Sequence, residues 1–341
     1  MSESPSKAMI LGTSGTTLGA DEVAFFRDER PWGFILFARN VRSRSQLRDL
    51  TASMREAVGR PDAPIFVDQE GGRVQRLRPP LAANYPPAAA IGALYGRDAR
   101  AGLRAAWLQG RLHAFDLADC GFSADCLPVL DVPAPGAHDV IGDRAYAREP
   151  EAVAALGGAV IEGLLAGGIA PVIKHIPGHG RAAADTHFAL PTVDASLEDL
   201  RRRDFAPFAE LAGCAMAMTA HVVFSAIDPS GPATTSAKVV ADIIRGEIGF
   251  DGLLMSDDVS MKALSGDFTA RARAILASGV DLVLHCNGAL DEMKAVASAV
   301  GTLQGRSLER ARAALAPIGR ADRTDETAAR NEFAGFFEAA A

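Results

Sequence analysis

The 341-residue chain is 48% hydrophobic and 23% charged with a formal net charge of −7, so it has apolar residues for a large core and too many of them for a disordered chain. The acidic balance, without a basic run, excludes a general nucleic-acid binder. No segment reaches the roughly 18 uninterrupted apolar residues of a membrane span, and the opening MSESPSKAMILGTSGTTLG lacks the basic region, apolar stretch and cleavage site of a secretory signal, so a soluble cytoplasmic protein is expected.

In chain order, short runs rich in Val, Ile, Leu and Phe alternate with stretches of helical period. The predicted strands are AMIL (8–11), GFILF (33–37), PIFVD (64–68), GFSADC (121–126), APVIKH (170–175), CAMAMTAH (214–221), GLLMSD (252–257) and DLVLHC (281–286). The first and the fourth have the weakest patterns, and LPVLDV (127–132) either continues or replaces the fourth. Between them lie predicted helices such as SQLRDLTASMREAV, GRDARAGLRAAWLQGRLHAFDLADC, PEAVAALGGAVIEGLLAGG, SLEDLRRRDFAPFAELAG and FTARARAILASG. Strands joined by helical crossovers in this number predict an α/β fold of the (β/α)8 TIM-barrel type. A single domain is expected, with the barrel over about 7–305 and terminal helices over 306–341. Cys120, Cys126, Cys214 and Cys286 lie in or beside apolar runs without CxxC spacing, which suits buried reduced thiols better than disulfides or zinc.

Polar residues fall at the strand ends: Asp68; Asp125 and Asp131; Lys174 and His175; His221; Asp257 and Asp258; His285. In a barrel of this type those ends form the active site. Some polar strand ends also serve only to cap helices or satisfy loop backbone.

Four stretches carry candidate chemistry. In FVDQEGGRVQRL (66–77), Asp68 is placed to accept hydrogen bonds from a polyol and Arg76 to donate to one; the plainer reading is an Asp–Arg pair fastening the loop. In VIGDRAYARE (140–149), Asp143 stands beside Arg144, and a solvated loop ion pair is the default. In GLLMSDDVSM (252–261), strand alternation turns one aspartate to the barrel mouth and leaves the other to cap or pair beneath it. In KHIPGHGRAAADTH (174–187), three of the seven histidines share a Gly- and Ala-rich segment with Asp185, the composition of a mobile loop that delivers an Asp–His proton carrier.

These residues fit two enzymatic readings. One is a metal-assisted hydrolase, with His175 and His179 among the ligands, although no clear three-ligand spacing is present. The other is a two-step displacement with Asp257 as nucleophile and His187 as proton carrier. A non-catalytic sugar-binding barrel is the third possibility.

Taken in order, DQEGGRVQRL, IGDRAY, KHIPGHG followed by DTH, and GLLMSDDVSM resemble the bacterial β-N-acetylglucosaminidases of glycoside hydrolase family 3. The resemblance covers nearly the whole chain. It implies a retaining hydrolase that removes non-reducing terminal N-acetylglucosamine from 1,6-anhydromuropeptides in peptidoglycan recycling, without a metal or other cofactor. It further implies that Asp257 is the nucleophile, His187 the acid/base and Asp185 its dyad partner, with Asp68, Arg76, Arg144, Lys174 and His175 binding the sugar. His179 receives no role. Ile176 stands where the family often has an aromatic residue, and Thr186 where it often has serine.

Overall fold

The computed structural model describes residues 5–136, 139–182 and 190–338. Its main sheet is parallel, and its strands, buried on both faces, are the continuous apolar runs seen in the sequence. We number the barrel strands β1 (Lys7–Leu11), β2 (Pro31–Leu36), β3 (Ile65–Val67), β4 (Ala124–Asp125), β5 (Ala170–Pro171 and Ile173–Ile176), β6 (Met216–Thr219), β7 (Leu253–Asp258) and β8 (Leu282–His285). The two parts of β5 are separated only by Val172, and they close the barrel. Ala170 and Pro171 pair with Ala124 and Asp125 of β4, while Ile173, Lys174 and Ile176 pair with Ala217, Met218 and Thr219 of β6. On the far side β1 pairs with β8 through Met9–Val283, Ile10–Leu284 and Leu11–His285.

β4 is shorter than GFSADC because its ladder starts after Ser123, whose hydroxyl accepts the Ile65 N–H at 2.8 Å. LPVLDV continues alongside β5 instead of replacing β4. Lys174 N–H donates to Pro128 O at 3.1 Å and Leu130 N–H to Lys174 O at 2.7 Å.

The crossovers are helical as predicted, and their ends have recognisable causes. Ser43 caps Arg44–Ala57 by accepting Gln46 N–H, Asp98 caps Ala99–Ala118, and Asp267 caps Phe268–Ala277. Pro150 opens Pro150–Ala166, where its missing N–H costs nothing. After β8 come the helices Leu290–Ala299, Gly305–Leu315 and Glu326–Glu338. The last packs on Ala99–Ala118, where Arg104 pairs with Glu332 at 2.7 Å and Arg330 with Asp116 at 2.6 Å. One principal core cluster includes residues from every barrel strand and from this last helix. No described helix is long and apolar enough to cross a membrane.

Candidate active site

Asp68 follows β3 directly. Beyond it the chain makes a small antiparallel hairpin, Gln69–Gly71 against Val74–Gln75, which the strand pattern of the sequence does not predict. Gly71 turns it with φ 96°, and a Cβ there would stand 2.4 Å from the Pro86 carbonyl oxygen, so the turn requires glycine. Gln69 Oε1 accepts the N–H groups of Arg76 at 2.9 Å and Leu77 at 3.0 Å. This folds Arg76 back over the strand end, 3.2 Å from Asp68 and 5.4 Å from the centre of the Phe37 ring. The fastening pair and the cavity-lining pair are thus the same residues.

A buried ladder of alternating charge extends from Asp68. Lys174 Nζ lies 2.8 Å from Asp68 and 2.6 Å from Glu70. Glu70 in turn accepts two hydrogen bonds from Arg144, each of 2.8 Å. Burial opposes ionisation of both carboxyls, but the neighbouring cations outweigh it: Lys174 and Arg76 hold Asp68 far below its ordinary value, while Arg144 and Lys174 hold Glu70 at about 2. The cations respond in the opposite direction. Against burial, Asp68 and Glu70 raise Lys174, and chiefly Glu70 raises Arg144.

Arg144 is therefore no member of a local pair with Asp143. It sits on the short helical turn Gly142–Arg144, pinned by the packing of Ile141 and Ala145 on Val129. Asp143 is taken instead by Arg73 at 3.0 Å, which also donates to the carbonyls of Asp139, Val140 and Ile141. The default expected for VIGDRAYARE is overturned because a hairpin distant in sequence supplies both residues with better partners.

Lys174 and His175 both line the cavity, and the peptide between them is cis. His175 Nδ1 is 2.7 Å from Asp131 Oδ2, and the His179 N–H donates to Asp131 Oδ1 at 2.6 Å. His179 lines the same cavity with its ring centre 5.6 Å from that of His175. Burial and the nearby His175 push His179 down to about 4, which keeps it neutral at physiological pH. At the end of β7, Asp257 accepts the Asp258 N–H at 2.7 Å. Burial resists its charge, yet the His221 and His175 rings, this N–H and Lys174 together lower its pKa. Asp258 binds Ser260 through N–H and hydroxyl and accepts the Cys286 N–H, the loop-fixing role expected of one member of the pair, but it also lines the cavity beside Asp257, so strand alternation does not turn it away from the mouth.

The result is a cavity of about 230 Å³ at the mouth of the barrel. Asp68, Glu70, Arg76, Arg144, Lys174, His175, His179, Asp257 and Asp258 line it together with apolar residues including Phe37, Met218 and Met261. The other polar strand ends serve the framework. Asp125 holds His113 and the Gln69 N–H, His221 holds Thr234 and the Asp258 carbonyl, and His285 meets Glu292 at 2.9 Å. Cys120, Cys126 and Cys214 are buried free thiols, but Cys286 is half-buried and lines the cavity. Asp185 and His187 lie outside the described residues. Among the described residues no group of three or more His, Cys, Asp or Glu is arranged to hold a metal ion.

Sequence patterns single out no role for Glu70 and leave Asp131 as one polar strand end among several. Asp131 is the penultimate residue of the LPVLDV run, a positional clue; Glu70 lies in the hairpin that the strand pattern does not predict and becomes visible only through its partners.

Residues 18–316 match the glycosyl hydrolase family 3 N-terminal domain. The chain belongs to glycosyl hydrolase family 3. Like the other members of this family it is a glycoside hydrolase, and its relatives are similar over most of their length. It is 39% identical over 316 residues to a β-hexosaminidase of Stenotrophomonas maltophilia, covering 92% of this chain and 91% of the relative. A β-hexosaminidase of Alkalilimnicola ehrlichii is 41% identical over 283 residues, covering 82% and 80%. The crystal structure of NagZ from Neisseria gonorrhoeae in complex with N-trifluoroacetyl-D-glucosamine superposes with a TM-score of 0.84 at 33% identity, covering 98% of this chain and 96% of that one. The family 3 assignment agrees with the barrel and with a cavity at the C-terminal ends of its strands.

Proposed function

We propose that this family 3 hydrolase is a retaining exo-β-N-acetylglucosaminidase that acts in the cytoplasm on non-reducing terminal N-acetylglucosamine of 1,6-anhydromuropeptides. The observation that carries the proposal is the convergence of Asp257 with Asp68, Arg76, Arg144, Lys174 and His175 on one cavity, in a chain whose full-length relatives are β-hexosaminidases.

The chemistry follows from the charge states. Asp257 is a carboxylate at neutral pH and attacks the anomeric carbon, forming a glycosyl ester as the bond to the leaving oxygen breaks. His187 protonates that oxygen and then takes a proton from the water that hydrolyses the ester, with Asp185 supporting the imidazolium. His179, held neutral, is a poor proton donor in the first step, which favours His187 for that part. Asp68 offers acceptor oxygens to sugar hydroxyls, while Lys174, Arg76 and Arg144 carry only donors. Because these groups are already held by one another, the sugar meets a preorganised ring of charge.

Release of nitrophenol from the aryl β-N-acetylglucosaminide, run beside the β-glucoside, tests the reading. Cleavage of the acetamido sugar with little of the glucoside supports it. Folded protein that cleaves neither contradicts it.

A further inference from the structure

Asp131 is fully buried and contacts His175 and His179, which line the cavity. Its Oδ2 faces His175 Nδ1 at 2.7 Å, and its Oδ1 accepts the backbone N–H groups of His179 at 2.6 Å and His175 at 3.3 Å. Burial opposes its charge, but the His175 ring and these hydrogen bonds lower its pKa, so it stands as a carboxylate and can only accept. A carboxylate opposite Nδ1 requires the proton on that nitrogen. Whenever the His175 ring is neutral, Nε2 is then left as an acceptor.

That acceptor differs from the carboxylates of the charge ladder. Asp68 and Glu70 are each already engaged by two cations, and Lys174, Arg76 and Arg144 are donors only. An imidazole nitrogen without an ion-pair partner suits a sugar hydroxyl that must give its hydrogen.

We propose that Asp131 is a positioning residue. It fixes His175 in the Nδ1–H tautomer, so that the ring receives a sugar hydroxyl through Nε2, and it anchors by two backbone N–H groups the strand end that carries the ring. The sugar contact rests on the function proposed above; the tautomer does not.

The test begins with 15N-histidine-labelled protein at pH 8, with the His175 signals assigned by their loss in His175→Gln. The expected spectrum is a neutral ring protonated at Nδ1. A ring protonated at Nε2, or at both nitrogens, overturns the proposal without need of a variant. In Asp131→Asn the amide keeps an oxygen for the backbone N–H groups and turns its NH2 to Nδ1. The proton is then expected to move to Nε2, with a melting temperature within about 4 °C of the parent. KM for the aryl β-N-acetylglucosaminide should rise on the order of tenfold with a much smaller change in kcat. A variant that stays Nδ1-protonated, or that changes tautomer with KM unaltered, overturns the positioning role. A parent enzyme that does not turn over the N-acetylglucosaminide contradicts the function instead, and leaves the tautomer to the spectrum.

Discussion

Glu70 is the carboxylate shared by two buried cations, Lys174 and Arg144, and only Lys174 has a second carboxylate in reach. Glu70→Gln therefore leaves Arg144 without a counter-charge, and a loss of about 3–5 kcal/mol in urea unfolding at neutral pH is expected. The same residue predicts an acid limb. Its folded pKa of about 2 lies below the ordinary 4.5, so its contribution is complete above about pH 4.5 and is lost as pH falls towards 2. Melting temperature followed through that window should drop less steeply in Glu70→Gln than in the parent; parallel curves would contradict the ladder. At the reacting centre, Asp257→Ala should reduce kcat by roughly 10³-fold or more while N-acetylglucosamine still binds. His187→Ala should cost roughly 10²–10⁴-fold on a sugar leaving group. The loss in release of nitrophenol should be smaller in the first turnover, since that leaving group needs no proton.

At the scale of elements, the segment that follows β5 runs close against the end of LPVLDV and the residues after it. Ala134 N–H donates to Gly180 O at 2.9 Å, and a Cβ on Gly180 would lie 2.1 Å from the Val132 carbonyl oxygen. Gly180→Ala must push the two backbones apart. A cost of about 1–3 kcal/mol is expected, together with reduced turnover, because the displaced stem leads from His175 and His179 towards Asp185 and His187. Gly213, where an added Cβ would meet nothing within 4 Å, is the control, and Gly213→Ala should stay within about 0.5 kcal/mol. The same elements show what could be read in advance. Asp68, Lys174, His175 and Asp257 were legible because an apolar run ended at each of them, and strand ends converge in a barrel. The hairpin after β3 was not, since it is held by Gln69 reaching Arg76 and Leu77 and by glycine meeting Pro86. The true partner of Arg144 was hidden for a related reason: Glu70 is 74 residues away in sequence, and local spacing offers Asp143 first.

Across the whole molecule, the last helix ties the end of the chain to the support beneath the hairpin. Arg330 reaches Asp116 at 2.6 Å and the Tyr85 hydroxyl at 3.3 Å, and Tyr85 itself donates to Asp116 at 2.5 Å. The Tyr85 carbonyl receives the Gly72 N–H at 2.9 Å, at the hairpin turn. Asp116 is buried, so Arg330→Ala leaves a carboxylate with one partner fewer and should cost about 1–3 kcal/mol by urea unfolding. The terminal helices were legible as helices from composition, whereas their docking depends on Phe333 and Arg330 finding Tyr85, a match that no local pattern encodes. Unchanged stability in Arg330→Ala would mean that the helix is an appendage and not a brace.

The most direct test of the account is the mass of His187→Ala protein quenched in acid during reaction with the aryl β-N-acetylglucosaminide, followed by peptide mapping. Loss of nitrophenol needs no acid, but hydrolysis of the ester lacks its base, so the intermediate should accumulate. The account predicts one added N-acetylglucosaminyl group on the peptide containing Asp257. An adduct on another residue, or sustained nitrophenol release with no adduct, would contradict it.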